Sequence, residues 1–580
     1  MIHRREFISK TCRRKAQALC VLLALAGWGS RPSAQANADD AVLRKAADDE
    51  LGRSVASLNI PGEARPHYIA YIITDHDRLN IAAVSGSLTV DRFNSDRELR
   101  VIVRAGTPQL DNTNAPKSRF EGFRMPLSWL PREADYGALR QELWSRTDEE
   151  YKQALDELGK KKSLLAARLA EPAEAVPDFS TELPHVTESP PVSVDIAAAR
   201  QNLLLAAQRL SKILAASHGL RSSVKADVTR VRRRLLTSDK TWADETHVYS
   251  KVSLSCEVQA ADGMTISYEL PFTASLPSSL SSLETMETAA KSMLATMTEA
   301  RGAPLVDNGN SVVLFERQAA TALIQTVLGD GLSGTPPRRA ETGDLDRSFA
   351  SKLGIELAAP LLDLVDDPTR AVEKGESLWG AYSADDEGVP ARKVTLIQRG
   401  VLKTLLMSRT PRKEVRASNG HFRLSYSGGK TTIGNLFVSP RSVLNREQLL
   451  KLAAGKARRR PVYIVRRLAV AGLDSDFPDF SDIASMLAAG QPSPGVRVME
   501  AYRLLNGKEV PVRGMVLPEL DIRTLKDVIA AGSDAFVSNL QPMGIPVSIV
   551  SPPLLIDNVA VKRWSGENAK LPSYPPPSKP

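Results

Sequence analysis

Cysteine is nearly absent: three residues in 580. Cys12 and Cys20 fall in the first 36 positions, which leaves Cys256 alone. A single thiol forms no internal disulfide and no thiolate zinc cluster. Cys256 lies in the alternating run VSLSCEV, the pattern of a core thiol on a strand. Histidine is scarce as well, with seven in the chain. Beyond His3 these are His67, His76, His185, His218, His247 and His421, and no two have the spacing of a helical zinc pair. After the first thirty positions no apolar run is long enough to span a membrane, so no transmembrane helix is expected. Strong charge is missing too. The formal balance is +9. The basic clusters at 230–234 and 456–460 flank apolar runs and read as solvated charged edges, so no nucleic-acid partner is expected.

What is present begins with an address. Arg4, Arg5, Phe7 and Lys10 resemble a twin-arginine export signal, and residues 16–28 form a short apolar stretch. Ala34-Gln35-Ala36 offers a cleavage site, so residues 1–36 read as a signal peptide and the mature chain starts at Asn37. Arg13, Arg14 and Lys15 leave the general secretory route open as an alternative. Either route predicts a periplasmic or secreted protein.

Residues 39–58 read as helix, and strands follow at 67–74, 79–88 and 99–105. Asp75, His76 and Asp77 have the look of a metal triplet, but their place between two strands predicts a hairpin turn. Residues 144–169 read as a long helix with Lys160, Lys161 and Lys162 on its wet face. Residues 172–191, rich in Pro, Glu, Ser and Thr, read as an extended linker. A helix at 196–218, strands at 248–258 and 264–272, and a helix at 278–299 complete the first half. Strand groups alternate with helix groups, which is α+β layering and not a repeated βαβ unit. Gly302-Ala303-Pro304 divides an N-terminal α+β domain (37–303), with a helical and linker insertion near 144–218, from a C-terminal domain (304–564). Residues 565–580 read as a Pro-rich disordered tail.

The stretch AATALIQTVLGDGLSG at 319–334 organises the second half. Leu323, Ile324, Val327, Leu328 and Leu332 fall at helical spacing. Gly329 and Gly331 weaken the helix, and Pro336-Pro337 forbid its continuation. Further along, Asp366, Asp367, Asp385, Asp386 and Glu387 have the chemistry of hard-cation ligands. Beside Gly and Pro, such acids read first as turn closers. Residues 427–431, SGGKT, fail the phosphate-loop spacing, because its first glycine falls on Leu424. Arg399-Gly400 and Asn506-Gly507 mark tight hairpins.

Several of these landmarks occur in one order: DNTN at 111–114, the helix at 319–334, YSADDEGVP at 382–390, the hairpin at 394–406 and the runs IPV and PPLLID at 545–557. In that order they resemble the TldD/PmbA family. The resemblance implies a two-lobed subunit that dimerises around an enclosed cavity. Active members hold zinc through a His-Glu-three residues-His motif on this helix and a later cysteine. Laid on this chain, the first histidine falls on Gln325, the glutamate on Thr326, the second histidine on Asp330 and the cysteine on Asn539. An amide is a weak zinc ligand, and a threonine is no base near neutral pH.

The expectation is therefore a two-lobed α+β fold with a strand-rich C-terminal domain. It would be an exported, non-catalytic relative of metallopeptidases with no intact metal site and no cofactor. It would bind peptide or unfolded polypeptide, as a homodimer or beside a zinc-bearing TldD-like subunit in a protease complex. One alternative is an active zinc peptidase whose site has moved to other histidines. Another is an envelope-surface binding or structural protein with its basic clusters on anionic headgroups.

Overall fold

The computed structural model describes residues 33–116, 127–167, 176–216, 221–337, 346–425, 428–457, 460–469 and 495–565. The charged and apolar stretches expected to form an export signal, and all but the first residue of the expected Pro-rich tail, lie outside these residues.

The N-terminal half is one antiparallel sheet with helices on a single face. Its long strands are β1 (Pro66–Val84), β2 (Ser87–Thr107), β3 (Arg221–Thr237), β4 (Trp242–Gln259) and β5 (Thr265–Ala274). The order is β2-β1-β3-β4, with β5 also on β4. The extended segment at 176–191 adds a short strand, Val186–Glu188, parallel to the start of β4. Side chains alternate between faces along each strand. Ile69, Tyr71 and Ile73 therefore share a face and pack under α1 (Ser33–Ser57) and α2 (Tyr136–Ala167). Farther along the same face, Leu79, Ile81 and Ala83 pack under α3 (Ile196–Ala215) and α4 (Leu283–Gly302).

Two sequence expectations fail here for one reason. Asp75, His76 and Asp77 do not turn the chain. They sit in mid-strand, paired with β2 on one side and β3 on the other. The turn comes at Ser85 and Gly86, both at positive φ (53° and 85°). The arginines at 230–234 are not solvated edges either. Arg234 meets Asp75 at 2.8 Å and Asp40 at 2.7 Å, and Arg230 meets Asp77 at 2.8 Å. A belt of matched charge crosses the sheet between the two apolar clusters. Its partners are brought together by strand pairing from distant parts of the sequence, so a local pattern reads each half as exposed. Lys161 repeats the lesson on α2. It is buried, and its Nζ donates to the carbonyl oxygens of Asp111 (3.0 Å) and Thr113 (2.6 Å) and to Asp178 Oδ2 (2.5 Å).

The C-terminal half stacks two sheets around one helix. The longer strands are β6 (Gly309–Phe315), β7 (Leu362–Asp366), β8 (Val394–Gln398), β9 (Asn435–Pro440), β10 (Val462–Leu468), β11 (Val496–Leu505), β12 (Phe536–Leu540), β13 (Val547–Ser551) and β14 (Leu554–Arg563). One sheet runs β8-β7-β9-β13-β12, with Val401–Leu402 outside β8. The other runs β10-β6-β14, then Met515–Leu517, then β11, and β11 pairs back onto β10 so that the circuit closes. Helix α5 (Gln318–Leu328) lies in the shared core, with Val313, Phe315 and Tyr463 from one sheet and Leu364, Leu436 and Ile549 from the other. Helix α6 (Arg446–Ala457) covers Val312, Leu314 and Ile464.

The halves are joined by buried charge. Residues 383–391 lie against the helix-free face of the N-terminal sheet. There Glu245 Oε1 accepts from the Ser383 N–H at 2.7 Å, Arg233 pairs with Asp386, and Arg104 reaches Glu387 at 2.9 Å. Tyr249 meets Trp379 edge-on with centroids 5.3 Å apart. With Arg233 and Arg234 both consumed inside the molecule, the envelope-surface alternative loses that basic face.

Candidate functional site

Helix α5 is apolar almost all round, as a helix between two sheets must be. Alanines 319, 320 and 322 let the strands approach closely, and all three are buried. Its start is fixed by Gln318, whose side chain accepts from the Leu468 N–H at 2.9 Å and donates to the Leu468 carbonyl at 3.2 Å. Its end is fixed by Gly329, at φ 46° and ψ −132°, a conformation open to glycine and strained for other residues. Gly331 passes so close to Phe349 that a Cβ there would stand 2.2 Å from the ring.

Beyond this end opens a cavity of about 190 Å³. Gln325, Asp330, Lys430 and Thr431 supply its polar wall, and Leu328, Leu332, Leu406 and Ile549 its apolar wall. Met543 lines it from a left-handed conformation, φ 54° and ψ 30°. Lys430 Nζ donates to Asp330 Oδ1 at 2.7 Å. The C-terminal end of a helix carries partial negative charge, so an ammonium there is favoured. Thr431 is not a free hydroxyl, since its Oγ1 accepts from the Gly334 N–H at 2.9 Å.

The four positions singled out by resemblance separate into two places. Gln325 and Asp330 share the cavity. Thr326 lies beside Gln325 on α5, and its hydroxyl is turned back onto the Ala322 carbonyl at 2.8 Å. Asn539 is elsewhere. Its neighbour Ser538 faces α5 and meets Thr321 at 2.8 Å, so alternation on β12 turns Asn539 to the opposite face. There its amide donates to the Ser377 carbonyl at 2.9 Å and to Thr273 at 3.1 Å, while its carbonyl accepts from Ser548 at 2.7 Å. A catalytic zinc needs three converging donors and an open position. Gln325, an Asp330 already paired with lysine, and an Asn539 facing away do not fit one.

The other candidate acids are committed to structure. Asp385 closes its own turn, accepting from the N–H groups of Glu387 (3.0 Å) and Val389 (2.9 Å), and it also holds the Phe422 N–H. Asp386 and Glu387 are neutralised by Arg233 and Arg104. Asp367 caps a turn at Thr369, and Asp366 accepts from the Gly434 N–H at 2.8 Å. The positive charge among these acids is guanidinium, with His421 2.9 Å from Asp366. Of residues 427–431, the described part is a strand, Gly428–Thr431, and not a phosphate-binding turn. Sequence reasoning missed Lys430 as a wall of the cavity. Nothing local marks it, because Asp330 lies a hundred residues earlier.

These features define a class: a two-lobed α+β protein whose C-terminal lobe clamps one apolar helix and opens a cavity at its end. The PmbA/TldA metallopeptidase C-terminal domain matches residues 308–481. Among curated relatives, a metalloprotease of Methanocaldococcus jannaschii is 39% identical over 64 residues, 11% of this chain and 13% of that protein. A metalloprotease TldD homolog of Buchnera aphidicola is 24% identical over 270 residues, 43% of this chain and 50% of that one. The chain thus spans half or less of the length of these relatives. Two solved structures share the fold. A Thermotoga maritima protein described as a proposed modulator of a DNA gyrase superposes with a TM-score of 0.58 at 13% identity, covering 90% of this chain and 100% of that one. TldE from Thermococcus kodakarensis gives 0.55 at 14%, covering 85% and 96%. Over residues 308–481 the chain thus carries the C-terminal domain of the TldD/PmbA family, and its fold is similar to that of the family's solved structures.

Proposed function

We propose that this chain is an exported, non-catalytic TldD/PmbA protein that binds peptide or unfolded polypeptide at the end of α5, alone or as the partner of a zinc-bearing subunit. The observation that carries the reading is the Lys430–Asp330 pair. The aspartate that falls where the family's active members would present a second histidine to zinc is taken up by an ammonium, and Thr326 supplies no base beside it. The cavity supports binding instead. Gln325 offers both halves of an amide to a peptide backbone, and the leucines offer apolar contact to side chains.

The test is hydrolysis of a fluorogenic peptide by the purified mature chain, with and without added zinc. No cleavage is expected in either case, while fluorescence anisotropy with an unfolded polypeptide reports binding that Gln325→Ala weakens. Cleavage that disappears on chelation and in the Asp330→Ala variant would overturn the non-catalytic reading. Export has its own test. Sequencing the N-terminus of the mature protein is expected to find Asn37, and retention of Met1 would refute the export proposal.

A further inference from the structure

The triplet at 75–77 takes on a different meaning once β1 is seen to run straight through it. His76 pairs directly with Asp96 across β1 and β2. Glu98 stands two residues beyond Asp96 and so points to the same side of the sheet. The donor atoms of His76, Asp96 and Glu98 all lie within 4.8 Å of one another. His76 Nε2 is 3.3 Å from Glu98 Oε2. Arg78, on the same face, reaches Asp96 Oδ2 at 2.5 Å and Glu98 Oε1 at 3.3 Å.

Arg78 leaves part of the cluster unmatched. Among the described residues, His76 Nδ1 and Asp96 Oδ1 are buried atoms with no hydrogen-bond partner. Buried polar atoms are paired in the great majority of native structures, and an exception calls for an explanation such as a water or an ion. A neutral imidazole presents a lone pair at one ring nitrogen and a carboxylate oxygen presents its own, which a cation fills and a further acceptor does not. One imidazole with two carboxylates is a donor set for a borderline divalent cation such as zinc, rather than for calcium or magnesium. Zinc bound at about 2.0–2.2 Å from each donor sets the donors roughly 3.5 Å apart, so side-chain rotation closes the observed spacing.

We propose that His76, Asp96 and Glu98 form a zinc-class divalent cation site on the helix-free face of the N-terminal sheet. It is independent of the α5 cavity, so the expectation of a chain without zinc is confined to that cavity. The bound ion ties the long β1–β2 hairpin at its middle. Three protein donors leave at least one coordination position for water. Arg78 then acts as the competitor, since its guanidinium neutralises the same two carboxylates when the ion is gone.

The experiment is titration of the full mature chain, stripped with chelator, with zinc alone by calorimetry, and with cobalt as the optical probe. One site per chain is expected. His76→Gln and Asp96→Asn should each weaken it at least tenfold, about the loss seen when only a supporting group behind a ligand is removed. Asp330→Asn should leave it unchanged, which separates this site from the α5 cavity. Arg78→Met keeps all three donors and removes the competitor, so it should tighten binding and enlarge the rise in melting temperature on adding zinc. No binding by the folded wild-type chain would overturn the proposal, as would binding that His76→Gln leaves intact. If the donor variants fail to fold, Arg78→Met decides: unaltered zinc affinity in that variant refutes the site.

Discussion

Lys161 is a charge hidden on a helix that looks amphipathic. Its side chain is 1% exposed, against 41% for Lys160 one position earlier. A buried ammonium is stable only when its donors are used, and Lys161 spends them on two carbonyls and one carboxylate. Those partners belong to the DNTN run and to Asp178, so one side chain fastens two loops to α2. Lys161→Ala would leave the two carbonyls without this donor and Asp178 Oδ2 with only the Asp111 N–H at 2.9 Å. The expected loss is about 3 kcal/mol, read as a lowered urea midpoint, while Lys160→Ala should change stability by no more than a few tenths of a kcal/mol. Three consecutive lysines are indistinguishable in sequence. What separates them is a 100° step around the helix and a loop some fifty residues away.

At the scale of elements, much of the fold was legible where the signal is local. Helix α5 was readable from its apolar spacing and its glycine end. The hairpins at Arg399-Gly400 and Asn506-Gly507 were readable from turn chemistry, and all four residues adopt the positive φ such turns require. Strand β1 was readable only at its two ends, as separate strands at 67–74 and 79–88, because its middle carries charge on both faces and so shows no alternation. The charge is tolerated there only because Arg97, Arg230 and Arg234 arrive from neighbouring strands. The site divides the same way. Gln325 and Asp330 lie on or beside one helix and fall together as spacing dictates. Asn539 sits on a strand, where an ungapped count that slips by one residue changes the face. Lys430, from a separate strand, had no local signature at all.

At the scale of the whole molecule, the junction between halves weakens as pH rises toward neutrality. Burial first, and then the charge of Glu387, push Asp385 up from 3.8 to about 7. The folded state therefore holds a proton that the unfolded state releases. Between pH 3.8 and about 7 the folded form binds more protons, so this group's contribution to stability falls as pH rises through that window. Below the window both states are protonated, and above it the loss is complete. Melting temperatures taken from pH 4 to 8 should show wild type losing ground to Asp385→Asn as pH rises. A pH-independent difference between the two would refute the assignment. The closed strand circuit has a different consequence, one of timing. Strand β14 sits between β6 and Met515–Leu517, so residues 309–315 wait for partners made some 240 residues later. Contacts of such long range form slowly and late. A ribosome carrying the nascent chain has therefore made β6 and α5 long before the strand that seals them, and the C-terminal half folds only after synthesis has passed Arg563.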